Sequence, residues 1–270
     1  MNLFQVGVGS GGIIVLDLLM RHPPVRKLVL VEPDVYKAHN IHRHLFPPAD
    51  VGKRKVELAV EWVKAFRPDV EVVALPWDVT DPARQAELHA HVAGCDFGVC
   101  AVDAEPAKYH FDSLMRAHGK PWTLGEVLSG GIGGWVHRFT PGGACYGCLA
   151  SHLKRAAPTD NTPPPADYSD PAATTPETSV PATRTAISVI ASLQAQVSLD
   201  AAAGTESGFT SLLLPMAVAA GIFTEALRPY KFRVARSPDC LVCDAGPAVG
   251  LSGEQLDVAL DQALARLAHE

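Results

Sequence analysis

No stretch of this sequence is both long and apolar enough to cross a bilayer. The longest apolar run, Leu212 to Phe223, is interrupted by Pro215 and falls short of the roughly 20 residues a membrane helix needs. There is no basic run and no acidic tail; the formal net charge of −6 over 270 residues is spread along the chain. A nucleic-acid surface is therefore not the expectation. The N-terminus carries neither a basic region nor a small-residue cleavage signature, so no secretory leader is expected and the location is read as cytoplasmic. Cysteine is scarce, with six residues. Four of them form two CxxC pairs, Cys145/Cys148 and Cys240/Cys243, and in a chain without a secretion signal that spacing favours metal over disulfides.

What is present is apolar content for a sizeable core, 47% of residues, arranged in alternating patterns. Strand-like runs at Leu3–Gly7, Lys27–Val31, Val70–Leu75, Phe97–Val102 and Trp122–Val127 alternate with helical patterns. These patterns cover Gly11 to Arg21, Gly52 to Phe66, Pro82 to Val92 and Pro106 to His118. Such alternation predicts an α/β fold with a mostly parallel sheet and helices on both faces. A further strand is predicted at Gly133–Phe139. Ala156 to Pro181 then carries seven prolines and almost no large apolar residue, which reads as a flexible loop. Beyond it, Ala182 to Ala203 and Leu212 to Leu227 read as buried helices and Tyr230–Arg236 as a strand. The final amphipathic helix opens at Ser252, with Gln255 at the capping-box spacing.

Gly7-Val8-Gly9-Ser10-Gly11-Gly12 fits GxGxxG at a strand-to-helix turn. Gly7 allows the tight turn, Gly9 lets phosphates approach the backbone, and Gly12 lets helix and strand pack closely. The helix N-terminus then offers free N–H groups to a phosphate. Glu32 closes the second strand, where an acidic group binds ribose hydroxyls. This motif does not separate ATP from NAD. The basic cluster Lys53-Arg54-Lys55 at a predicted helix start opposes the helix dipole, which makes sense if it reaches phosphates; otherwise it is a solvated surface cluster. Asp103 ends a predicted strand, where open α/β sheets place their chemistry. It suits Mg²⁺ on a polyphosphate, or the N-cap of the next helix, or both. The histidines at 39, 42 and 44 read as neighbours of a phosphate pocket or as surface residues rather than a metal site.

The two CxxC pairs supply four thiolates for a closed tetrahedral zinc site, with redox motifs or buried thiols as the other readings. A shared metal would put the proline-rich segment inside one closed unit, making it a crossover loop rather than a linker. Cys95 and Cys100 read as inert packing residues.

Taken in order, these residues resemble the ThiF/MoeB/ubiquitin-activating (E1-like) superfamily. The resemblance rests on Gly7/Gly9/Gly12, Glu32-x-Asp34, Asn40-x-x-Arg43, Gly52-x-x-Lys55 and Asp103. It continues through Pro121-Trp122, Gly125, Gly134 and Phe139-x-Pro141 to the cysteine pairs. It implies one adenylation domain over residues 1–270, with a crossover loop at about 156–181 and an antiparallel extension of the sheet. It implies ATP, Mg²⁺ and Zn²⁺ as cofactors. Gly7, Gly9, Gly12, Glu32, Asp34, Asn40, Arg43, Lys55 and Asp103 would bind the nucleotide, with Glu32 on the ribose, Asn40, Arg43 and Lys55 on the phosphates and Asp103 on magnesium. Arg43, Lys55 and Asp103 would carry the catalysis. The implied substrate is the C-terminal carboxylate of a small ubiquitin-like or sulfur-carrier protein.

Two departures qualify that picture. Thioester-forming members carry a cysteine near the end of the crossover loop, whereas residues 172–185 contain none, so adenylation without a thioester is expected. The N-terminal arginine helix of many relatives has no counterpart ahead of the glycine loop, which leaves homodimer and heterodimer both open. The alternatives are adenylation of a peptide or tRNA, an inactive scaffold subunit, and an NAD-dependent oxidoreductase. The last leaves Asn40, Arg43, Lys55 and Asp103 unexplained.

Overall fold

The computed structural model describes residues 1–153 and 182–243. Eight strands form one sheet: β1 (Asn2–Val6), β2 (Lys27–Val31), β3 (Glu71–Leu75), β4 (Phe97–Cys100), β5 (Trp122–Val127), β6 (Gly133–Phe139), β7 (Ser211–Pro215) and β8 (Tyr230–Phe232). Their order is β3-β2-β1-β4-β5-β6-β7-β8. The first five are parallel. The last three add antiparallel, which is the expected extension. The strand order reverses beside β1, where β2 lies on one side and β4 on the other, and such a switch point opens a crevice at the carboxyl ends of the strands.

Period-2 alternation sorts the strand residues to two faces. Leu3, Leu28, Leu30, Phe97 and Val99 pack in one buried cluster, under α1 (Gly12–Met20), α2 (Lys55–Phe66) and α6 (Arg184–Ala202). Phe4, Val6, Val29, Val31 and Cys100 pack in another, under α3 (Gln85–Ala93), α4 (Glu105–Ala117) and α5 (Tyr146–His152). Both faces of the parallel strands are thus covered, which explains why those strands read as continuous apolar runs.

Several expectations need correction. The run from Leu212 to Leu227 is not a helix. Leu212, Leu213 and Leu214 pair with Val136, Trp135 and Gly134 as β7. A short apolar run does not distinguish a strand from a buried helix, and Pro215, which lacks an N–H, helps end the segment. The chain beyond it is irregular, and Val218, Ile222 and Leu227 are about two-thirds exposed at 66%, 65% and 69%. The strand expected at 230–236 shrinks to Tyr230–Phe232. The helix expected from Gly52 begins at Lys55, because Gly52 has φ 97° and Arg54 bridges Val35. Pro82–Arg84 forms a 3₁₀ turn before α3. Helix α5, inside the first CxxC, was not expected. The proline-rich stretch 156–181 and the helix opening at Ser252 lie outside the described residues.

Candidate nucleotide site and metal centre

The glycine loop leaves β1 at the switch point. Gly7 has φ 96°, and a Cβ there would run into the Ala101 carbonyl just beyond β4. A Cβ at Gly12 would run into the Gly7 carbonyl. Gly9 meets nothing within 4 Å, so the space above it is open to a ligand. Below the loop, the buried Gln5 donates from Nε2 to the carbonyls of Gly7 and Gly12, each at 2.9 Å. No acceptor among the described residues takes the N–H groups of Gly9, Ser10 and Gly11. Helix α1 has no side-chain cap and no acidic residue in its first turn. Uncapped N–H groups at a helix start suit an anion.

Glu32 follows β2 and is buried. Its Oε2 accepts the Val8 N–H at 2.6 Å and its Oε1 accepts the Asp34 N–H at 3.0 Å. Both oxygens thus already brace the loop. Burial pushes the Glu32 carboxyl up, opposed by the Lys55 charge and these two N–H donors. Asp34 is the more open carboxylate, with its side chain 61% exposed, and it pairs with the buried Lys55 ammonium at 2.7 Å. Lys55 opens α2, where its own N–H reaches the Asp34 carbonyl at 3.0 Å.

The segment after Tyr36 folds over the loop. Tyr36 is fully buried and donates to the Phe46 carbonyl at 2.7 Å. The Asn40 side chain accepts the Lys37 N–H at 2.9 Å, and its carbonyl receives the N–H groups of Arg43 and His44. Arg43 is half-buried, and no carboxylate pairs with it among the described residues. Asp103 is exposed two residues past Ala101 and likewise lacks a cation partner there. It does not cap α4, whose N-cap is Ala104. Behind it, the buried Lys108 bridges Glu105 and Glu126 at 2.7 Å each, and Glu126 reaches His137 at 3.1 Å. That chain ties the first turn of α4 to β5 and β6.

Of the two readings offered for His44, the structure rules out the surface one and puts the ring beside the glycine loop. It is 2% exposed, and its Nε2–H donates to the Val8 carbonyl at 2.8 Å. Burial pushes its pKa down to about 4; the Val8 carbonyl opposes this, while the Lys55 and Arg184 charges add to it. The ring is therefore neutral and serves as a strut of the glycine loop. Arg184, in the first turn of α6, donates to the His44 carbonyl at 3.0 Å. Sequence reading gave His44 no bracing role and missed Arg184 altogether. Their partners lie 36 and 140 positions away, and no local pattern marks them.

The four cysteines converge. Sulfur separations are 3.7 Å for Cys145–Cys148, 3.5 Å for Cys145–Cys240 and 3.6 Å for Cys148–Cys243, with all four within 4.8 Å of one another. Zinc–sulfur bonds of about 2.3 Å in a tetrahedron set sulfurs roughly 3.8 Å apart, so the donor set fits Zn²⁺. Burial pushes the Cys145 thiol up. Against burial, the N–H groups of Cys243 and Val242 and the neighbouring thiols bring Cys240 down to about 7. Four thiolates this close need a cation. The surroundings supply sulfur donors too: the Cys148 N–H reaches Cys145 Sγ and the Ser237 N–H reaches Cys148 Sγ, both at 3.4 Å.

The cluster lies at the opposite end of the sheet from the glycine loop. Phe139, at the end of β6, pairs with Trp122 at the start of β5, so Cys145 follows beyond the amino ends of the parallel strands. Two clefts of about 260 Å³ flank the turn at 139–144, lined in part by Arg116, Lys120, Arg138, Arg233 and Arg236. Neither includes a glycine-loop residue.

Comparison with known proteins accords with this geometry. The SAMP-activating enzyme E1 of Haloferax volcanii is 32% identical over 145 residues, covering 53% of this chain and 51% of that protein. Ubiquitin-like modifier-activating enzyme 5 of Branchiostoma floridae is 26% identical over 152 residues, covering 53% of this chain and 37% of that protein. The matches thus span about half, or less, of each relative's length. The fold is similar to E. coli MccB solved with ATP, with TM-score 0.62 and 15% identity over 90% of this chain and 66% of that one. The MccB complex with MccA-N7isoASN gives TM-score 0.65 at 16% identity, with the same coverage. The sequence profile of the ThiF family matches residues 2–241, from β1 to beyond β8, and the chain belongs to that family.

Proposed function

We propose that this chain is an ATP-dependent adenylyltransferase acting on the C-terminal carboxylate of a small ubiquitin-like or sulfur-carrier protein. The observation that carries this reading is the set of groups around the glycine loop without partners among the described residues: its N–H groups, Arg43 and Asp103. Cations and free N–H donors at a helix start suit a polyphosphate, and a lone carboxylate at the end of β4 suits the magnesium that accompanies it. Support comes from relatives named for activating ubiquitin-like modifiers. A dinucleotide oxidoreductase leaves both Arg43 and Asp103 unexplained.

In the reaction, an oxygen of the substrate carboxylate attacks the α-phosphorus of ATP. The bond from that phosphorus to the bridging oxygen breaks, and the electron pair leaves with pyrophosphate. Like charges approach, so the protein must offset them. The loop N–H groups, Asn40, Arg43 and Lys55 bind the phosphates, with Lys55 oriented by Asp34. Glu32 and Asp34 flank the ribose. Magnesium held at Asp103 would neutralise polyphosphate charge.

The product remains an acyl-adenylate on this chain. All six cysteines are accounted for. Four form the metal cluster, and burial pushes Cys95 up to about 11 and Cys100 to about 12, far from the thiolate a thioester requires.

Calorimetry with Mg-ATP and with NAD on wild type and Asp103→Ala tests the site. Magnesium-dependent ATP binding, weakened at least tenfold by Asp103→Ala, is expected, followed by carrier-dependent pyrophosphate exchange that Arg43→Ala reduces at least a hundredfold. NAD binding without an ATP response would overturn the proposal. Exchange untouched by Arg43→Ala would recast the chain as a scaffold for another active subunit.

A further inference from the structure

We infer that Arg184, in the first turn of α6, is a polyphosphate-binding residue that completes the nucleotide site from the helix following residues 154–181. The inference rests on the adenylation reading and adds a residue to it from a part of the chain no motif reaches.

Three placements carry it. First, α6 begins against the glycine loop. A Cβ on Gly11 would lie 3.6 Å from Ile187 Cγ2, and one on Gly131 would press on Ala186. The start of α6 therefore sits at the α1 end of the loop. Second, the Arg184 guanidinium is held there. Its Nη1 donates to the His44 carbonyl at 3.0 Å, and His44 in turn donates to the Val8 carbonyl of the loop at 2.8 Å. One bond fixes the position, and the other N–H groups of the fork have no partner among the described residues. Third, the charge is uncompensated. Arg184 has no carboxylate partner among the described residues, although other exposed or half-buried arginines here do, such as Arg21, Arg67, Arg84, Arg116 and Arg228.

Among the described residues, the local structure does not account for that charge. The first turn of a helix is its positive end, where a cation is unfavourable, and α6 is 19 residues long with no acidic residue in that turn. Thr183 already caps it, accepting the Ala186 N–H at 3.2 Å. The charge is near enough to bear on both Tyr36 and His44, the two residues on which the Asn40–Arg43 segment is folded. A bound polyanion supplies what is missing: it pairs with Arg184 and Arg43 from two sides of the loop, and a planar guanidinium binds phosphate oxygens bidentately.

Arg184→Gln separates charge from tether, because an amide can still donate to the His44 carbonyl. Binding of Mg-ATP and of AMP is measured by calorimetry on wild type, Arg184→Gln and Arg184→Lys, with Tm recorded for each. The expectation is a ten- to fiftyfold weaker Mg-ATP in Arg184→Gln, AMP within about threefold of wild type, unchanged Tm, and Mg-ATP partly restored in Arg184→Lys. Equal ATP affinity in wild type and Arg184→Gln overturns the inference and leaves the adenylation reading standing. An equal loss for ATP and AMP overturns it as well, making Arg184 a tether only. A wild type that binds no Mg-ATP overturns the adenylation reading, and this inference with it.

Discussion

At the scale of single residues, the glycine loop separates what folding requires from what a ligand requires. Gly12 is fixed by sterics, because a Cβ would collide with the Gly7 backbone. Gly12→Ala should therefore destabilise by about 2 kcal/mol through local overpacking, seen as a lowered midpoint in urea. Gly9 touches nothing within 4 Å. Gly9→Ala should unfold like wild type yet bind Mg-ATP at least fivefold more weakly, because the methyl group occupies the phosphate approach. If Gly9→Ala bound ATP normally, the open space above Gly9 would not be the phosphate site.

His44 gives a pH signature of the same loop. Its folded pKa of about 4 lies below the ordinary histidine value of 6.5, so the unfolded chain takes up the proton first as pH falls. The stability contribution is complete above pH 6.5 and is lost progressively down to about pH 4, amounting to roughly 3 kcal/mol. Glu32, raised by burial, works in the opposite sense. A comparison of wild type with His44→Gln, which keeps a donor for the Val8 carbonyl, isolates the histidine. Urea midpoints between pH 7 and pH 4 should fall more steeply in wild type. Parallel slopes would mean that His44 titrates normally and is not buried as a neutral strut.

At the scale of elements, legibility in the sequence followed how local each determinant was. Strands β5 and β6 coincide with their sequence bounds, Trp122–Val127 and Gly133–Phe139, because a turn with glycines at 130 and 131, both at positive φ, separates two apolar runs. The glycine loop and the two CxxC pairs were legible for the same reason: each motif is short and its spacing carries its chemistry. Strand β7 was not, because Ser211–Pro215 is too short to show a period, and its partner β6 lies more than seventy residues earlier. The start of α2 was displaced because Gly52 has φ 97° and Arg54 is held by an isolated bridge to Val35. Within the site, the roles of Glu32 and Asp34 changed emphasis for a comparable reason. Sequence offered two carboxylates near one strand end, and only the fold shows that Glu32 is engaged by the N–H groups of Val8 and Asp34 while the Asp34 side chain faces outward on Lys55.

At the scale of the whole molecule, the proposed nucleotide site and the four-cysteine cluster lie at opposite ends of one sheet, and the parallel strands between them are buried on both faces. A cluster so placed serves to hold the antiparallel extension against α5: Cys145 and Cys148 come from the start of that helix, and Cys240 and Cys243 from the segment after β8. Without the metal, sulfurs packed at 3.5 to 3.7 Å lose the cation that keeps them ionised, and the segment after β8 loses its anchor. Purified protein should carry about one zinc per chain, and a strong chelator should lower Tm by roughly 10 °C, a loss of several kcal/mol. Because β1, β4 and the loop between them do not touch the cluster, Mg-ATP affinity measured well below the lowered Tm should stay within about threefold of the metal-loaded protein. Loss of nucleotide binding in step with zinc, at a temperature where far-ultraviolet circular dichroism shows the fold intact, would instead place the metal in the nucleotide's service and require a coupling through β5 and β6 from one end of the sheet to the other.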